Sequence, residues 1–219
     1  METSLHRALK ERYAAGGSGH PEVTVAGFRV DAVDGAGRLV EIQSGPLGPL
    51  RRKLGQLLPD HRMRIVKPVA LRRRIVRRSK RDGPNLSARC SPKRGARVDV
   101  FDDLMGVVSV FPHSNLEIEI LEITIDEVRV PRRRWPGYSV ADRVLGTIHG
   151  TTCLRRAADL WTLLPRHCSG RKPFTTLELA QEIERPIWFA QRVAYCLRQS
   201  GAVRVVGKSG NRRIYVREG

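Results

Sequence analysis

The chain has 219 residues, 41% of them hydrophobic and 28% charged, enough apolar material for a packed core, which excludes wholesale disorder. No apolar run nears the roughly 20 residues that span a bilayer, and Met1 to His6 lacks the apolar stretch of a secretory signal, so the expectation is a cytoplasmic protein with no membrane partner. Forty basic residues against 22 acidic give a net charge of +18, a balance that points to a polyanionic partner. Cys90, Cys153, Cys168 and Cys196 lie far apart with no CxxC pair, which argues against a zinc ribbon or a disulfide scaffold.

Residues 3–14 read as a helix, capped by Thr3 or Ser4, with Leu5, Leu9 and Tyr13 recurring every fourth residue. Glycines at 16, 17 and 19 end it. Two alternating runs follow, 22–25 and 28–33, with Ala26-Gly27 as a tight turn between them. Asp34-Gly35-Ala36-Gly37 is a hairpin signal, and 38–43 is the third strand. Residues 49–58 form a helix with Leu50, Leu54, Leu57 and Leu58 on one face. Residues 63–69 and 71–78 are two further strand candidates. The Lys/Arg/Ser-rich stretch 79–97 reads as an exposed loop.

Residues 98–111 are expected to be helical. Residues 116–130 alternate apolar and acidic side chains, as in a long strand or hairpin with an acidic outer face. Residues 131–137, with Arg132, Arg133, Arg134 and Trp135, read as a linker or arm. Residues 154–164 form another helix. Thr175 to Glu178 is a capping box opening a short helix, and Arg185-Pro186 begins a longer one that ends at Gly201. Two β runs, 202–206 and 212–216, close the chain. Three helices and a β-hairpin in this order make a winged helix-turn-helix.

The charge is unevenly distributed. Residues 61–98 carry fourteen basic side chains and one acidic, a net +13, whereas residues 99–131 carry one basic and eight acidic, a net −7. A basic block of this kind suits nucleic-acid phosphate. The residues that carry chemistry lie just before it. Asp31 ends one strand of a hairpin, and Glu41 and Gln43, two residues apart, share a face of its partner. Two carboxylates converging at the end of a small sheet suit a hard cation with oxygen ligands, and Mg²⁺ is the natural occupant. Such an ion can bind a scissile phosphate and activate water, and Gln43 can orient that water or contact phosphate.

Val30-Asp31, nine residues, then Glu41-Ile42-Gln43, with a helix before the meander and an amphipathic helix after it, resembles the PD-(D/E)XK nuclease superfamily over residues 1–80. The whole chain is also similar to a set of uncharacterised bacterial proteins that share Ser4-Leu5-His6, Glu41-Ile42-Gln43 and Leu50-Arg51-Arg52-Lys53-Leu54, followed by a winged C-terminal part. The nuclease resemblance implies metal ligation by Asp31, Glu41 and the Ile42 carbonyl. It also implies a carboxylate from the first helix, Glu2 ahead of Glu11. The departure is Gln43, where the superfamily has lysine. Some members cut with glutamine there, some recruit a basic residue from the next helix (here Lys53), and some only bind.

The expected fold class is α/β: a restriction-endonuclease-like core (1–80), a basic loop with an α+β connecting segment (81–150) and a winged helix (151–219). The expected activity is Mg²⁺-dependent DNA phosphodiester hydrolysis by Asp31, Glu41, Gln43 and Lys53. Arg51, Arg52, Arg72, Arg74, Arg192, Lys208, Arg212 and Arg213 are the candidate DNA contacts. The alternatives are an inactive nuclease fold that binds DNA or regulates, and a protein–protein adaptor. A homodimer or a protein partner through the winged helix is compatible with either.

Overall fold

A computed structural model that describes residues 2–15, 20–168 and 172–218 has a mixed α/β architecture with a mixed central sheet. Helix α1 (Ser4–Ala14) starts where expected, because the Thr3 side chain accepts from the His6 N–H at 3.3 Å. A meander follows: β1 (His20–Val25), β2 (Phe28–Val33) and β3 (Leu39–Ile42). Ala26 and Gly27, both at positive φ, make the first turn. At the second turn, Asp34 accepts from the N–H groups of Ala36 and Arg38, each at 3.0 Å. A 3₁₀ turn (Gly48–Leu50) leads into α2 (Arg51–Leu57) and then into β4 (Met63–Arg78).

β5 (Asn85–Cys90), α3 (Val100–Leu104), β6 (Leu116–Pro131) and β7 (Tyr138–Leu154) continue the chain. A 3₁₀ segment (Ala157–Leu163), α4 (Thr176–Glu182), α5 (Ile187–Gln199), β8 (Val203–Ser209) and β9 (Arg212–Arg217) complete it. The strand order is β1-β2-β3-β4-β6-β7, with β5 paired to β4, and β8-β9 is a separate hairpin.

The chain divides into two compact units that are not serial. One comprises 1–44, 66–96 and 120–151, the other 45–65, 97–119 and 152–219. The stretches 1–80 and 81–150 each contribute to both units, whereas 152–219 lies wholly in the second. The first unit packs Leu5, Leu9 and Tyr13 of α1 against Ala32, Val40, Ile42, Val66, Leu121 and Ile123 of the strands. Ser4 ties the helix start to Asp142, its N–H donating to Asp142 Oδ1 at 2.8 Å. In the second unit Leu54, Phe101 and Leu104 are buried, and Cys196 of α5 lies 3.7 Å from the Phe101 carbonyl. Gly106 is required there by close approach, since a Cβ on it would sit 2.5 Å from Gly48 Cα. The Thr175–Glu178 capping box is formed, and Gly201, at φ +80, follows the end of α5.

Several elements depart from the sequence expectations. Residues 63–78 are one strand, not two, because nothing between Pro68 and Leu71 supplies turn chemistry. The stretch 79–97 contains β5, exposed at every position and paired to Arg74–Arg78 of β4. Its polar composition signals an exposed edge, not an irregular backbone. The helix expected over 98–111 is limited to Val100–Leu104, followed by turns. Residues 131–137 are not a linker but the turn between β6 and β7, closed by Arg132 N–H to the Gly137 carbonyl at 3.0 Å. The helix expected over 154–164 is a 3₁₀ segment over 157–163, preceded by β7, whose half-buried, weakly alternating sequence leaves little signal.

The acidic face of β6 is the largest correction. It does not point outward: Glu117, Glu119 and Glu127 are 7%, 8% and 2% exposed. Arg64 pairs with Glu117 at 2.8 Å and Glu119 at 3.2 Å, and Arg155 reaches Glu117 at 2.8 Å. Arg73 and Arg129 pair with Glu127 at 3.3 and 2.6 Å. The acids are buried because arginines meet them there.

Candidate functional site

Asp31 is where the β2–β3 ladder stops. The register pairs Val33 with Leu39 and Ala32 with Val40. One step further, the Ile42 N–H donates to Asp31 Oδ2 at 2.8 Å instead of to a backbone carbonyl. The other oxygen, Oδ1, lies 3.1 Å from His6 Nε2 of α1. The carboxylate therefore ties the helix to the sheet at the point where two strands separate.

Around it is a cleft of about 360 Å³ lined by Glu2, Thr3, His6, Lys10, Glu22, Arg29 and Asp31. Lys10 Nζ lies 2.5 Å from Glu2 and also bonds Glu22, which in turn pairs with Arg29. Lys10 is buried, at 7% exposure, so its charge depends on those partners. The Asp31 hydrogen bond raises the His6 pKa, against the opposing effect of burial. Burial pushes the Asp31 carboxyl up, but His6, the Ile42 N–H and the Lys10 charge together outweigh it and hold it low. Glu22 is likewise held low by Lys10 and Arg29.

The sequence candidates are distributed as follows. Glu2 and Asp31 line the cleft; Glu41 and Gln43 are half-buried and do not line it. The Gln43 N–H donates to the Val66 carbonyl at 2.9 Å, continuing β3 onto β4. Lys53, Arg51 and Arg52 lie on α2 in the second unit. Arg72 and Arg74 are exposed on β4, and Arg74 Nε donates to Asp126 at 2.8 Å. Arg192 of α5 bonds Asp102 at 2.6 Å and stacks 4.9 Å from the Trp188 ring. Lys208, Arg212 and Arg213 are exposed on the β8–β9 hairpin, and the last two line a groove with Gln191, Tyr195 and Arg198 of α5.

Lys10, Glu22 and Arg29 were not among the sequence candidates. The signal was present for one of them: Glu2, His6 and Lys10 recur every four residues and so share one face of α1.

Does this set suit the Mg²⁺ that the nuclease resemblance implies? As folded, it does not. Both Asp31 oxygens are engaged by His6 and Ile42, and Glu2 faces the Lys10 ammonium. Glu2 and Glu22 are paired with Lys10 and Arg29, so two of the three carboxylates in the cleft already have cationic partners. Among the described residues, ligand atoms of three His, Cys, Asp or Glu side chains gather within 4.8 Å only at Glu117, Glu119 and Cys153. Arg64 and Arg155 neutralise those acids, and burial beside the two carboxylates raises the Cys153 thiol pKa, so it stays protonated. That cluster is an ion-pair knot.

No helix among the described residues is long and apolar enough to cross a membrane. No solved structure matches the chain. An uncharacterized protein of Treponema pallidum (strain Nichols) is 32% identical over 163 residues, which cover 73% of this chain and 64% of that protein. The match thus leaves about a third of the relative's length unaccounted for. Residues 3–155, which include α1, the meander with Asp31 and the long β4, β6 and β7 strands, match the model of a domain of unknown function, DUF8091, and the chain belongs to that family.

Proposed function

We propose that the protein binds DNA, using a nuclease-like α/β core that lacks a hydrolytic metal centre together with a C-terminal winged helix. The observation that carries this reading is the sorting of charge. Much of the acidic side of the balance is buried or paired, as at Glu117, Glu119 and Glu127, while Arg72, Arg77, Lys80, Arg89, Lys93 and Arg94 of the basic block are exposed. The surface is therefore more cationic than the composition alone implies, which favours phosphate contacts.

In the winged-helix reading, α5 is the recognition helix and β8–β9 the wing. Arg185 and Arg192 are paired with Asp99 and Asp102, so they are not the primary contacts. Gln191, Tyr195, Arg198, Arg212 and Arg213, which line a groove of about 470 Å³ between helix and wing, are better placed. A protein partner on the same helix has one observation in its favour: Ile187 and Trp188 are 41% and 51% exposed.

The test is a mobility-shift titration of duplex DNA at about 50 and 200 mM salt. The expected result is metal-independent binding that weakens steeply between the two. No binding at the lower salt overturns the reading and leaves the adaptor role.

A further inference from the structure

We propose that the turn joining β6 to β7 is a stacking finger for unpaired bases, with Trp135 as the stacking side chain and Arg132, Arg133 and Arg134 as its phosphate contacts. This deepens the DNA-binding reading and rests on it.

Trp135 is 92% exposed, so its indole adds nothing to the core. At the end of a long hairpin the ring is open to a partner on its apolar face, and the cations beside it set that partner's charge. The three arginines before it are also exposed, as are Pro136 and Gly137.

The turn that carries them is a defined scaffold. Arg132 N–H donates to the Gly137 carbonyl at 3.0 Å, Gly137 N–H donates to the Arg134 carbonyl at 2.9 Å, and Gly137 has φ +81. Just behind it, the Arg129 guanidinium lies 3.9 Å over the Tyr138 ring and bonds Glu127 at 2.6 Å, which fixes the base of the turn. A preorganised aromatic presented among cations loses little freedom on binding.

The occupant is chosen by charge and shape. Three adjacent guanidiniums demand an anionic partner, and a single exposed flat ring suits one base face better than a lipid bed. The exposed Arg72 and Arg77 of β4 and Arg89 of β5 belong to the same compact unit as the turn and add to its positive charge. Bases in a relaxed duplex are stacked on each other and offer no free face, so the ligand is a single strand or a site of local unpairing.

The experiment measures anisotropy of a labelled single strand of about 16 nucleotides, of the matching duplex, and of anionic vesicles, for the wild type, Trp135→Ala and Trp135→Phe. The expected result is an about ten-fold loss of single-strand affinity in Trp135→Ala, largely restored in Trp135→Phe, with duplex affinity changed less than about two-fold. Equal affinity of Trp135→Ala and wild type for the single strand, with duplex binding intact, overturns the finger alone. A loss confined to vesicles assigns the turn to membranes and also overturns it. Failure of the wild type to bind either nucleic acid overturns the finger together with the DNA-binding reading.

Discussion

Asp31 commits one oxygen to the Ile42 N–H and the other to His6, so its role in this fold is to hold α1 against the point where β2 and β3 part. Asp31→Ala leaves a buried N–H without its acceptor and is expected to cost about 1–3 kcal/mol in a denaturant melt. The pair also sets a pH dependence. Because the His6 pKa is raised in the folded state, its contribution is complete below the ordinary histidine value and is lost as pH rises through the raised one. Stability should therefore decline across that window in the wild type, and the decline should flatten in His6→Gln; an unchanged pH profile in that variant contradicts the pairing. The spacing of Asp31 and Glu41 was legible in the sequence, as was the hairpin that carries them. What Asp31 meets was not, because the deciding groups, His6 and the Ile42 N–H, come from α1 and β3.

At the level of elements, the pattern of the chain was readable wherever local chemistry decides it. Thr3 caps α1, Ala26-Gly27 and Asp34–Gly37 make the turns of the meander, and Thr175–Glu178 opens α4, all as local rules require. The alternation in β6 marked which residues share a face, but not what that face packs against. Arg64 and Arg73 are more than 50 positions away in the chain, and only folding brings them to Glu117, Glu119 and Glu127. This buried pairing is also where the strands are most vulnerable. Arg64→Met strips Glu119 of a partner in a nearly dry site and is expected to lower stability by about 3 kcal/mol or more. The control is Arg155→Met, whose side chain is 63% exposed and whose loss should cost no more than about 1 kcal/mol. Thermal melts of the two variants check the contrast, and equal effects contradict it.

For the whole molecule, charge is the property that links fold to function. A net +18 was visible from the start, yet composition did not reveal that Glu117, Glu119 and Glu127 of β6 are buried while many arginines of the basic block stay exposed. Both oxygens of Asp31 are committed to His6 and Ile42, which is why the function we propose is binding of DNA without cleavage. The most direct measurement incubates the full chain with supercoiled plasmid in Mg²⁺ and reads the gel before and after the protein is removed. The account predicts retarded plasmid that returns to the supercoiled position. Nicked or linear product that disappears in both Asp31→Ala and Glu41→Ala contradicts it, and restores those carboxylates as a catalytic pair.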